Sequence, residues 1–264
     1  MMCGILHPTG GSIEIDGKNF DKNRKEINRE MGVVFGQKTQ LWWDIPLIET
    51  FKILKVIYEV PEEEFNERFE YLCELLDLKS FMTQNVRSLS LGQRMRADFA
   101  AALIHSPKIV YLDEPTIGLD VLVKDKIRKA IKELNKKYGI TVILTTHDMK
   151  DIEELCNRII IIDEGSILYD GSLKDIKYKF GNTKTIVIPN GIVDKNTLLQ
   201  QFKEVEIIEE DDKMLIKFSV NNINIDDILL VLINEYHIED LKINDISIED
   251  ITKNLYENNE KNLA

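Results

Sequence analysis

Two uninterrupted apolar runs, Ile109-Val110-Tyr111-Leu112 and Val142-Ile143-Leu144, each stop abruptly on polar residues: Asp113-Glu114-Pro115 and Thr145-Thr146-His147-Asp148. A third run, Met31 to Phe35, ends on Gly36-Gln37. Short continuous apolar runs suit strands covered on both faces, as in a parallel sheet. Ligands gather at the carboxyl ends of such strands, so the two acids and the histidine are predicted to face one site. Residues 39–88 read as helical, with Ile53, Val56, Ile57 and Tyr58 in one segment and Phe69, Leu72, Leu75 and Leu76 in the next. Ser90 is a favoured helix N-cap, and the residues after it suit an amphipathic helix through Ile104. Lys124 to Tyr138 carries an apolar stripe, Ile127, Ala130, Ile131 and Leu134, with its lysines on the solvated face. Ser12 to Gly17 alternates as a half-buried strand, and 158–169 reads as a hairpin around Asp163-Glu164-Gly165.

The composition shifts near Gly181-Asn182-Thr183, a plausible linker. Beyond it the pattern predicts strand 185–188, helix 194–202, strands 205–209 and 214–220, helix 225–236, strand 238–243 and helix 247–256. The order βαββαβ is the split, ferredoxin-like arrangement. The expected architecture is therefore an α/β domain over 1–180 and a small α+β domain over 181–264.

Composition narrows the class. The net charge of −12 and pI near 5.0 argue against non-specific nucleic-acid binding, which needs a basic surface. Cys3, Cys73 and Cys156 are scattered without CxxC pairing and read as reduced thiols, not as a disulfide framework or a zinc site. No apolar run reaches the roughly 18 residues of a membrane span, and no basic region precedes the short apolar opening. The chain is expected to be soluble and intracellular, with any link to a membrane made through a partner.

The ordered set Leu89-Ser90-Leu91-Gly92-Gln93, Asp113-Glu114-Pro115 and Thr145-Thr146-His147-Asp148 resembles the nucleotide-binding ATPase subunits of ABC transporters, and more narrowly the ABC-2-type export ATPases. The resemblance covers residues 1–180 strongly and 181–264 by position and pattern. It implies a P-loop NTPase-like core with an inserted helical subdomain at about 39–105. It also implies ATP and Mg²⁺ as cofactors. Asp113 matches the magnesium-organising carboxylate, Glu114 the general base, and His147 the switch histidine that contacts the γ-phosphate and the attacking water. Gln37 matches the glutamine that contacts metal and water. Ser90, Leu91, Gly92 and Gln93 match the signature that approaches the phosphate of the other protomer's ATP, with Leu91 standing where the family pattern has glycine. Asp120 matches the loop that crosses the dimer interface.

Gln37-x-x-Gln40-Leu41-Trp42-Trp43-Asp44 resembles one branch of the ABC-2 export ATPases. Trp42 and Trp43 suit either the core of the helical subdomain or a groove receiving a cytoplasmic helix of a membrane partner. The implied partners are an integral-membrane permease and a second ATPase protomer, which places the chain on the cytoplasmic face of the cell membrane. The family's phosphate-binding loop, G-x-x-x-x-G-K-[ST], has no match in the 264 residues. The expectation is an exporter ATPase truncated at its N-terminus and inactive alone. The alternative is a non-catalytic subunit that lends its signature to a complete protomer. A soluble ABC ATPase of translation or DNA repair fits less well, since neither duplicated cassettes nor a long coiled coil is present.

Overall fold

In a computed structural model, residues 1–36 and 38–263 are described, apart from the side chains of residues 180, 254 and 257–263. The chain divides into two units, Met1–Leu155 and Cys156–Ala264. Residues 156–180, placed by sequence pattern in the first domain, thus group with the second unit.

The first unit opens with a small hairpin, β1 (Glu14–Ile15) and β2 (Lys18–Asn19). Its two turn residues, Asp16 (φ 51°) and Gly17 (φ 71°), are both left-handed, which cuts the predicted strand short at a tight turn. Helix α1 (Phe20–Arg29) is capped by Asn19, whose side chain accepts from the Lys22 N–H. It buries Phe20 and Ile27 beside Met31 and Tyr111. The three apolar runs form a parallel sheet in the order β3 (Met31–Phe35), β4 (Ile109–Asp113), β5 (Thr141–Thr145). Its register sets Phe35, Asp113 and Thr145 in one row, so all three strands end level.

Between β3 and β4 lie α2 (Leu47–Ile57), α3 (Glu62–Leu75), two 3₁₀ turns and α4 (Leu91–Leu103). Leu47, Phe51, Leu72, Leu76, Leu78, Phe81 and Val86 are wholly enclosed there. Trp42 and Trp43 are not core: they are 40% and 50% exposed, while the neighbouring Leu41 turns inward. The Arg94 guanidinium sits 4.8 Å over the Trp43 ring. Helix α4 also departs from its amphipathic pattern, since every residue from Met95 to Leu103 is buried. Four alanines let neighbouring elements close on all sides. Arg96 fits because its Nη1 donates to the carbonyls of Leu76 (2.7 Å) and Asp77 (2.9 Å).

Helix α5 (Val121–Tyr138) starts three residues before the lysine-rich pattern suggested, because the Asp120 carboxylate caps it by accepting from the Val123 N–H at 3.0 Å. Gly139 (φ 64°) ends it, and α6 (Met149–Leu155) follows β5.

The second unit begins with the hairpin β6 (Arg158–Asp163) and β7 (Ser166–Ser172), then α7 (Leu173–Phe180). There follow β8 (Thr183–Pro189), α8 (Lys195–Gln201), β9 (Val205–Glu209), β10 (Lys213–Ser219), α9 (Ile225–Asn234), β11 (Lys242–Asp245) and α10 (Ile248–Leu263). The sheet is antiparallel in the order β11-β8-β10-β9, the split βαββαβ arrangement. Alternate residues of β10 (Met214, Ile216, Phe218) and β8 (Ile186, Ile188) are buried with Leu198 of α8 and Ile228 and Leu232 of α9.

Candidate functional site

The level ends of β4 and β5 assemble the centre of the site. Asp113, the last residue of β4, is exposed, and its Oδ1 accepts from the Thr145 hydroxyl at 2.6 Å. Glu114 then turns sharply, with φ of 48°, a left-handed conformation that non-glycine residues seldom hold without support. The support is local: the Glu114 N–H donates to the Thr145 carbonyl at 2.9 Å, and its own carbonyl accepts from the Ile117 N–H at 3.2 Å. The bend swings the Glu114 side chain toward β5, where Oε2 lies 3.0 Å from His147 Nδ1. Gly36, beyond β3, donates its N–H to the Asp113 carbonyl at 2.7 Å. A Cβ at Gly36 would run into the carbonyl oxygens of Glu114 and Asp113, so only glycine allows the strands to close there.

Glu114, Thr116, Ile117, Gly118, Lys124, Thr146, His147 and Asp148 line an open cleft of about 230 Å³. That suits a phosphate group with several waters better than a whole nucleotide. At its edge Lys124 Nζ donates to Asp148 Oδ2 at 2.7 Å, and this bond holds the Asp148 carboxyl below its ordinary range.

The signature segment forms a second cluster. Ser90 caps α4 in a reciprocal box: its Oγ accepts from the Gln93 N–H (3.2 Å), and Gln93 Oε1 accepts from the Ser90 N–H (2.9 Å). The cap leaves the Ser90 hydroxyl hydrogen free to donate. Gly92 packs on α5, where an added Cβ would stand 3.1 Å from Val123 Cγ2. Leu91 is exposed, with its Cδ2 against Gly118. Asp120 is the exposed cap of α5. No hydrogen bond or ion pair among the described residues joins Ser90–Gln93 to Asp113, Glu114 or His147. Gln37 lies outside the described residues.

The motif reading assigned no role to Thr116, Thr145, Asp98 or Asp151. Asp98 of α4 is buried and ties down the segment after residue 37: its Oδ1 accepts from the Thr39 hydroxyl and the Gln40 N–H, each at 3.0 Å. Burial pushes its carboxyl up to about 6 despite those bonds. No spacing rule marks such a residue, since its partners lie 58 and 59 positions away.

Residues 1–117 match the family model described as "ABC transporter". The ABC transporter ATP-binding protein NatA of Bacillus subtilis is 31% identical over 176 residues, covering 67% of this chain and 71% of NatA. The chain belongs to the ABC transporter family. The family relation extends to methionine import ATP-binding protein MetN 2 of Enterococcus faecalis, 29% identical over 80% of this chain but spanning only 61% of that protein. Across several of its relatives the chain thus spans less than two thirds of their length. Among solved ABC proteins, the dimeric post-hydrolysis state of the ATP-binding cassette MJ0796, bound to ADP and Pi, superposes with a TM-score of 0.57 at 29% identity, covering 65% of this chain and 76% of that one. The α/β core with its inserted helices is therefore an ABC ATPase fold.

Proposed function

We propose that this chain is the ATPase subunit of an ABC-2-type exporter, acting in a head-to-tail dimer on the cytoplasmic face of a membrane permease; its 264 residues hold no phosphate-binding loop, so the chain alone is expected to be inactive. The observation that carries the reading is the 3.0 Å approach of Glu114 Oε2 to His147 Nδ1, one residue beyond an exposed aspartate at the end of a parallel strand. Glu114 takes the proton from the attacking water, and His147 orients that water and the phosphate. Asp113, with one oxygen fixed by Thr145 and the carboxylate facing solvent, suits Mg²⁺, a hard cation that prefers oxygen donors and keeps several waters. When bound, Mg²⁺ would neutralise charge on the phosphates. The N-terminus of α4, with the Ser90 hydroxyl and the backbone N–H of Gly92, offers donors to the phosphate held by a second protomer. Gln37 is assigned to the same water and metal, and Asp120 to the dimer contact, by their places in the motif order.

The export direction is supported by the likeness of residues 37–44 to ABC-2 export ATPases and by the small α+β domain that follows the core. MetN 2, by contrast, is named as an importer component. The partner of this chain would be an integral-membrane permease; no helix among the described residues is itself long and apolar enough to cross a membrane. The test is ATP turnover by the protein reconstituted with its permease. Glu114→Gln should lower kcat at least about a hundredfold while nucleotide binding persists. Turnover undiminished by that change would sink the assignment. Turnover that needs a different, complete ATP-binding subunit would make this chain a non-catalytic partner.

A further inference from the structure

Beneath the cleft lies a charged network that the proposed chemistry does not use directly. Asp151, the third residue of α6, is 0% exposed. Its Oδ1 accepts from Arg128 Nε at 2.6 Å, and its Oδ2 accepts from the hydroxyls of Thr116 (2.6 Å) and Thr146 (3.2 Å). Arg128, itself buried, also reaches Asp148 Oδ2 (3.3 Å) and Asp125 Oδ1 (3.1 Å). Asp148 donates its N–H to Thr146 Oγ1 at 3.0 Å.

A buried ion pair is a poor device for stability alone, because a well-packed apolar pair of similar volume holds two helices at least as well. What this one offers is geometry. Thr116 is two residues past Glu114, and Thr146 immediately precedes His147. One carboxylate oxygen therefore grips both loops whose tips must meet at 3.0 Å. The grip is needed on the Glu114 side in particular, where the left-handed φ of 48° opposes the conformation.

We propose that Asp151 is a positioning residue, oriented by Arg128, that sets the Glu114–His147 separation through Thr116 and Thr146. Calling that pair catalytic rests on the proposed function; the positioning itself does not.

The chain has four histidines, so the Cε1–H region of a carbon-labelled sample gives one signal for each, four in all, and His147→Gln identifies the relevant one. Glu114→Ala calibrates the position of that signal when the contact is lost. Thr116→Val, which removes the hydroxyl and keeps the volume, should move the His147 signal toward the Glu114→Ala position, and Thr116→Ser should return it. Thr146→Val repeats the test on the other loop should Thr116→Val fail to fold. A His147 signal that stays at the wild-type position in a folded but destabilised Thr→Val variant would overturn the proposal, since a merely structural bond would lower the melting temperature alone.

In the permease complex, kcat should fall about tenfold to a hundredfold in Thr116→Val with KM within about twofold, and recover in Thr116→Ser, as expected for a displaced reacting group. A shifted His147 signal with unchanged kcat would remove the catalytic role from the proposal. Absence of turnover in the wild type would overturn the proposed function, and the resonance result would still decide the positioning.

Discussion

Among the described residues the six buried polar or charged side chains, Thr50, Arg96, Asp98, Thr116, Arg128 and Asp151, all lie in Met1–Leu155. The cluster that α8 and α9 share with their sheet consists of isoleucine, valine, leucine, methionine and phenylalanine alone. Burying a polar group is unfavourable unless each of its hydrogen-bonding positions is met. The first unit accepts that cost where loops must be aimed. Asp98 fixes the segment after residue 37, Arg96 fixes the turn at 76–77, and Asp151 fixes the loops of Glu114 and His147. The second unit shows the alternative open to a region without such loops: β8 and β10 bury alternate residues, and α8 and α9 cover that face. Three of the six, Thr116, Arg128 and Asp151, join in the one network beneath the candidate cleft.

The largest expected effect breaks this contrast from the polar side. Arg128→Met leaves Asp151 in the interior without its main cation, and removing one partner of a buried pair costs about 3–5 kcal/mol. Urea unfolding followed through Trp42 and Trp43, both in the first unit, measures it; a loss under about 1 kcal/mol would mean the network is solvated and the contrast false. The corresponding change in the second unit is Ile216→Ala, at a fully buried centre of β10. It should cost about 3 kcal/mol through lost burial and an unfilled cavity. Hydrogen exchange at the β8 and β10 amides should quicken, with no specific change at His147.

Asp98→Asn sharpens the comparison with a smaller, pH-dependent effect. Burial raises the Asp98 carboxyl from its ordinary 3.8 to about 6. Between those values the folded chain holds the proton and the unfolded chain has lost it, so stability falls as pH rises from about 4 to 6 and levels off above. The total is at most about 3 kcal/mol. Asparagine keeps an oxygen to accept from Thr39 and Gln40 and removes the titration, so the variant should gain on the wild type across that window. The difference must be read against wild type, because burial pushes His105 down to about 4 and its contribution runs oppositely: stability is lost as pH falls from 6.5 toward 4. A flat difference between the two proteins would show that Asp98 is solvated.

Much of this arrangement was legible in the chain. The ends of the apolar runs located Asp113, Glu114 and His147 at adjacent strand termini, because a buried parallel strand must stop where polar residues reach the ligand side. The βαββαβ order of 183–245 followed from alternation and helical period, with most ends off by one or two residues. What period could not supply was tertiary. The burial of α4 on every side comes from elements that close over its alanines. The early start of α5 comes from one cap at Asp120. The exposure of Trp42 and Trp43 depends on which neighbour fills the core, and Leu41 does. Asp151 carried no signal of its own, because nothing local in 149–155 shows that its partners are Thr116 and Arg128.

The absent side chain at Gly36 has a genetic consequence. A random search for inactive variants would be expected to return the acids and the histidine. It should also return Gly36→Ala, although alanine carries no charge and lies just past the end of a different strand. Its single methyl would press on the peptide carbonyls of both Asp113 and Glu114 at once. A loss-of-function map of this protein should therefore hold a hit that reads as the mildest possible substitution, at a position with no chemistry of its own.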